Sequence, residues 1–237
     1  MTALNEWFRG IDLSRIIEWL MYALAALAAI SVHESSHAIT AYWLGDDTAK
    51  RMGRISLNPL RHLDVAGFVL MVVAHFGWAK PVPVDMRRFK NPKLGMALTS
   101  LAGPLSNVLL GFLNCFAFCV VLYAADSRTM LMLQGYLPAS GWLYYLGFFF
   151  QICMVLNAGL AVFNLLPVSP LDGSKILAIL LPQKAYYWLM RYERYGFLIL
   201  IALLFTGVLD KPLAFLREGL IDGMFAVAEP IARAIFG

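Results

Sequence analysis

The chain has 237 residues, of which 60% are hydrophobic and only 14% charged, with a net charge of +4. No block of sequence is polar enough to form a soluble domain of ordinary composition, so the chain reads as a polytopic membrane protein. The basic excess lies in loops beside apolar runs, where it sets topology and meets anionic head groups rather than nucleic acid. The three cysteines, Cys115, Cys119 and Cys153, all fall in apolar runs and read as packing residues.

Met1 to Arg15 lacks the basic start, short apolar core and small-residue cleavage site of a signal peptide, so the first apolar run is expected to be a retained span. That run, about 16–44, is rich in alanine, which allows close helix packing, and Gly45-Asp46-Asp47 stops it. Near its end stands His33-Glu34-Ser35-Ser36-His37, an H-E-x-x-H pattern that holds two of the four histidines. On a helix, residues i and i+4 share one face, about 6 Å apart along the axis. Two imidazoles so placed can hold one Zn²⁺, and the intervening glutamate can take a proton from water. A buried pair of packing histidines is the plainer reading, but ionisable groups inside a membrane are expensive and are by default functional.

A basic loop follows, with Lys50, Arg51, Arg54 and Arg61, and later Lys80, Arg87, Arg88, Lys90 and Lys93, which the positive-inside rule assigns to the cytoplasm. Between its halves, residues 65–78 form an apolar run too short to span comfortably, so a re-entrant or interfacial segment is expected. Lys80-Pro-Val-Pro-Val-Asp85 reads as extended chain, because Pro81 and Pro83 disfavour helix. It and Gly53 to Leu57 are candidates to offer a strand edge to a substrate.

The second span, about 94–123, carries Leu101-Ala-Gly-Pro-Leu-Ser-Asn107, where Pro104 removes one helical hydrogen bond and Gly103 permits close approach. The third, about 142–166, begins with aromatic residues and runs into Asn164-Leu-Leu-Pro-Val-Ser-Pro-Leu-Asp-Gly173. Two prolines and a glycine should unwind the helix there, and irregular backbone at membrane depth needs protein or water around it. Asp172 on that stretch is a site candidate. A short apolar helix at 174–181 and a fourth span centred on 195–209 follow, and the tail from residue 212 reads as an amphipathic helix on the outer interface in preference to a fifth span.

Catalytic zinc usually takes three protein ligands and a water. The third could come from Asp172, Asp64, His62 or His75. Asp172 is preferred, because it lies at the same end of a span as His37 and its charge, with one hydroxide, would neutralise Zn²⁺. His62 and Asp64 read as a local turn joined by a hydrogen bond, and His75 as a non-ligand. Asn157 and Asn164 read as hydrogen-bonding across helices. If residues 65–78 crossed the membrane, Asp172 and the histidines would face opposite sides. A re-entrant segment instead puts His37, Asn107 and Asp172 at similar depth in the inner half of the bilayer.

Together, the H-E-x-x-H run, Leu101 to Asn107 and Asn164 to Gly173 resemble the site-2 protease family of intramembrane zinc metalloproteases in its small bacterial form. Leu57 to Asp64 and Phe76 to Val84 resemble loop segments of that group. The resemblance covers about Ile16 to Leu181. It implies His33, His37 and Asp172 as ligands of one zinc per chain, Glu34 as the base, and Asn107 as a polar residue beside the scissile carbonyl. It implies an all-α three-helix metalloprotease core at 1–181, with a re-entrant or β-containing cytoplasmic loop, followed at 182–237 by the fourth span and amphipathic helix. The expected activity is zinc-dependent cleavage of transmembrane protein substrates in a bacterial inner membrane, with the N-terminus outside and the site toward the cytoplasm. The alternative class is a non-proteolytic zinc-stabilised scaffold or a transporter with broken helices. Many relatives carry PDZ or CBS domains. The loop between the first two spans is too short for a PDZ domain and no CBS pair could follow the fourth span, so recognition is expected from the membrane core.

Overall fold

The computed structural model describes residues 13–64, 80–125, 131–133, 135 and 140–236. The expected re-entrant segment at 65–78, and His75 with it, lie outside the described residues. Among those residues the chain is helical, with no strand. Three helices are long and apolar enough to cross a membrane: α1 (Leu13–Trp43), whose candidate span begins at Arg15, then α3 (Pro92–Ala124) and α4 (Trp142–Asn164). They match the three expected spans to within a few residues. Large apolar side chains such as Leu20, Leu24, Leu105, Leu109 and Leu113 face outward, which only a lipid surround accommodates in such number.

Local chemistry sets the ends of these helices. Gly45 takes a φ of 107°, a left-handed turn that ends α1, and its N–H closes onto Tyr42 O. Asp46, fully buried just beyond, accepts from the N–H and hydroxyl of Thr48, which opens the single turn α2 (Thr48–Arg51). At the start of α3, Asn91 accepts from Leu94 N–H and Pro92 occupies the first turn, where its missing donor does no harm. α4 stops at Asn164, and α5 (Asp172–Leu177) begins after seven irregular residues, as the two prolines require.

α3 is the central helix and packs on both α1 and α4. The last part of the chain holds a bent pair of helices that together are long and apolar enough for one broken span. After α6 (Gln183–Arg191), the apolar α7 (Glu193–Phe205) is short, and it meets α8 (Asp210–Phe236) at 89°. α8 does not lie across the ends of the bundle. Its first turns adjoin Gly159, Val162 and Phe163 of α4, and its later turns reach Cys119 and Tyr123 of α3, so it runs along both. The reason is a stripe at i, i+4, i+8: Met224, Ala228 and Ala232 pack with Cys115, Cys119 and Met154 in one buried cluster. The charges of α8 that marked it as interfacial, Glu218, Asp222 and Glu229, sit on its exposed side.

α5 folds back against the end of α4 because Gly173 has no side chain. A Cβ there would lie 2.2 Å from Leu165 O and 2.4 Å from Leu166 O, inside backbone that cannot yield. Gly173→Ala is therefore expected to destabilise the protein by about 3 kcal/mol, the upper range for forcing atoms into a packed interior. Thermal unfolding in detergent, compared with an alanine substitution at the open Gly219, measures it.

Candidate metal centre

α1 presents His33 and His37 on one face, with ring centroids 4.6 Å apart and planes at 89°. The first residue of α5 brings Asp172 to them across 139 residues of chain. The Nε2 atoms of His33 and His37 each lie 3.2 Å from the same oxygen, Asp172 Oδ2. All three side chains are nearly or fully buried.

The other nitrogen of each ring is held from behind by α3. His37 Nδ1–H donates to the backbone carbonyl of Thr99 at 2.7 Å, and His33 Nδ1–H donates to Asn107 Oδ1 at 2.5 Å. With both rings neutral and protonated at Nδ1, both Nε2 lone pairs point toward a carboxylate oxygen. Three electron-rich atoms converge with no hydrogen of their own to share, an arrangement that a cation stabilises. The 3.2 Å separations also match the roughly 3.3 Å edge of a tetrahedron whose vertices stand about 2.0–2.1 Å from a zinc ion. Donor type, number, spacing and supporting bonds all fit Zn²⁺. This is the one group of histidine, cysteine and carboxylate ligands among the described residues able to hold a metal.

α3 can approach so closely because of Gly103. A Cβ on it would stand 2.4 Å from His37 Cε1 and 2.6 Å from His33 Cε1. The glycine was legible in the sequence as a point of close approach, whereas the Thr99 carbonyl, being backbone, carried no signal.

The cluster opens onto a cavity of about 330 Å³, lined also by Glu34, Pro81, Val82, Val84, Asn164 and Lys175. Glu34 Oε2 accepts from the backbone N–H of Val82 at 3.1 Å. The Lys80–Asp85 stretch that supplies this bond is non-helical, as its prolines dictate, and is fixed at both ends. Buried Arg54 donates to the carbonyls of Lys80, Pro81 and Arg61, and burial pulls its guanidinium pKa down. Asp85 N–H donates to Asp46 Oδ2 at 2.7 Å. Hydrogen bonds from Arg87 hold the Asp85 carboxyl below the usual carboxylate range.

Of the other candidates, His62 is buried away from the cluster and donates from Nε2 to Ser56 O at 2.6 Å, not to Asp64. Asp64 does not join the ligand group. Asn164 donates to Leu160 O one turn back and reaches the cavity wall. Asn107 lies behind His33, fully buried. Its oxygen is taken by that ring, and its nitrogen donates to Asn157 Oδ1 at 2.7 Å and Ala29 O at 3.3 Å. Its amide could reach a substrate carbonyl only by breaking one of these bonds.

A helical membrane core enclosing a two-histidine, one-carboxylate cluster with an adjacent glutamate defines the class of membrane-embedded metalloproteases. Residues 21–206 match the profile of peptidase family M50, and the chain belongs to that family of metalloproteases. It is 42% identical over 212 residues to the Bacillus subtilis protein named "Putative zinc metalloprotease YwhC", covering 88% of this chain and 92% of that one. It is 28% identical over 206 residues to the Mycolicibacterium smegmatis protein named "Putative zinc metalloprotease Rip2", covering 85% and 70% respectively. No solved structure matches it.

Gly103→Ala is expected to push the two imidazoles out of register and to lower zinc affinity at least about 10-fold, the scale seen when the support of a metal-bound histidine is lost. Zinc content after dialysis against a graded chelator series measures this, with helix content by circular dichroism unchanged.

Proposed function

We propose that the protein is a zinc-dependent intramembrane endopeptidase that cleaves peptide bonds within or near the transmembrane segments of other membrane proteins. The observation that carries this reading is the shared approach of His33 Nε2 and His37 Nε2 to Asp172 Oδ2, with Glu34 on the same cavity wall. His33, His37 and Asp172 would hold one zinc per chain. When bound there, zinc acts as a Lewis acid that acidifies water and polarises a carbonyl.

Glu34 is the base. It takes a proton from the attacking water and returns it to the leaving amine, so one carboxylate serves both halves of the reaction. Val82 N–H holds one of its oxygens, which limits the rotamers open to the side chain and leaves the other oxygen for the proton. Asn107 acts through His33, whose ring it holds, and is assigned to that support in preference to the oxyanion role that the family resemblance suggests.

The cavity, at about 330 Å³, suits a few residues of extended chain and not an intact helix. A transmembrane substrate hides its peptide bonds in its own hydrogen-bond ladder, so it must unwind locally to be cut. The basic residues Lys50, Arg51, Arg87, Arg88, Lys90 and Lys93 gather at the end of the bundle where α1 stops and α3 starts. That favours a bacterial inner membrane protein with this end, and the metal centre near it, toward the cytoplasm and the N-terminus outside. Residues 1–181 form the catalytic core, and 182–237 flank it. A metal scaffold would need no base beside its ligands, and Glu34 is one.

Glu34→Gln is expected to keep one zinc per chain while reducing cleavage of a transmembrane reporter in proteoliposomes at least about 10³-fold. Chelation should abolish wild-type cleavage and added zinc restore it. Unchanged turnover in the glutamine variant would overturn the assignment of the base.

A further inference from the structure

We propose that Asn157 is a positioning residue that sets, through Asn107, which nitrogen of His33 carries its proton, and hence which one is left to hold the metal. The proposal rests on the zinc site described above and goes beyond it, because Asn157 touches neither the ligands' metal-facing atoms nor the cavity.

The polarity of the relay starts at a group that cannot reverse. Cys153 O is a backbone carbonyl one turn back in α4 and can only accept; Asn157 Nδ2 donates to it at 2.8 Å. Asn157 must therefore turn its oxygen toward Asn107. Facing an oxygen, Asn107 presents its Nδ2, which donates to Asn157 Oδ1 at 2.7 Å. The same nitrogen donates to a second fixed acceptor, Ala29 O, at 3.3 Å. Only Asn107 Oδ1 then remains for His33, and an oxygen there demands a proton on Nδ1, 2.5 Å away. Nε2 is left with its lone pair toward Asp172.

His37 reaches the same tautomer in one step, from the Thr99 carbonyl. His33 faces a side chain instead, and the long 3.3 Å bond to Ala29 O would by itself hold that amide only weakly against turning. Asn157 removes that freedom. Both amides are essentially inaccessible to solvent, with Asn107 at 0% and Asn157 at 1% exposure, so water does not offer a substitute partner. Reversing the relay would set oxygen against oxygen at Cys153 or at Ala29.

The test measures zinc affinity of the full-length purified protein by competition with a chromophoric chelator, together with ¹⁵N spectra of histidine-labelled, zinc-free protein at mildly alkaline pH. Zinc-free wild-type protein should show His33 with Nδ1 protonated, and Nε2 protonated instead would overturn the proposal whatever the variants do. Asn157→Leu should weaken zinc at least about 10-fold and give His33 a mixture of tautomers. Asn157→Asp should retain near wild-type affinity, since the introduced carboxyl, buried and protonated, can donate its O–H to Cys153 O and turn its other oxygen to Asn107. If Asn157→Leu binds zinc like wild type while His33→Ala and Asp172→Ala lose it, Asn157 is merely helix packing and the relay is wrong. If the ligand variants themselves keep zinc, the metal site assignment fails instead.

Discussion

Two histidines on one helix and a carboxylate on a distant turn direct their lone pairs at one point inside an apolar bundle. Such a cluster is unfavourable by itself, since three electron-rich groups meet in a medium that screens poorly. Everything around it serves to hold that arrangement. α3 approaches closely through a glycine and grips the far side of both rings. α4 breaks so that α5 can deliver Asp172, and Gly173 lets the two touch. Apolar surface in lipid does not drive helices together as it does in water. The packing of these helices thus leans on small residues and buried polar contacts, which here belong to the candidate metal centre.

Much of this was legible in the sequence, for identifiable reasons. H-E-x-x-H has a fixed meaning on a helix because i and i+4 face the same way, and the long apolar runs around it could only be spans. Asp172 was legible because proline and glycine at membrane depth mark backbone that must be sheltered. Side-chain type, in contrast, does not encode direction. The alternation of charged and apolar residues in α8 suggested an interfacial helix. An alanine stripe packed against the bundle and an amphipathic face on its surface look alike until the neighbour is known. Asn107 and Asn157 were visible as polar residues in spans, but which partner each atom chose depended on two backbone carbonyls that no sequence displays.

The family assignment and the geometry bear on different questions. Membership in peptidase family M50 makes the chain a metalloprotease and agrees with the three apolar helices. The convergence of His33, His37 and Asp172 explains, in atoms, how this particular chain could perform that chemistry. Two routes fix the two rings, one through main chain alone and one through a pair of amides. The first is insensitive to substitution and the second is not, so the two imidazoles differ in how readily mutation can disturb them.

The bonding of the Lys80–Asp85 stretch limits how a visiting polypeptide can lie beside Glu34. Lys80 N–H is spent on His62 O, Pro81 and Pro83 have none, and Val82 N–H is given to Glu34. The carbonyls of Lys80 and Pro81 are occupied by Arg54. Among the described residues, only Val84 in this run keeps an amide hydrogen for a guest. A guest chain aligned along the stretch would therefore meet a single backbone donor, at Val84, with acceptors to either side of it, so that a regular ladder of alternating donors and acceptors could not form there.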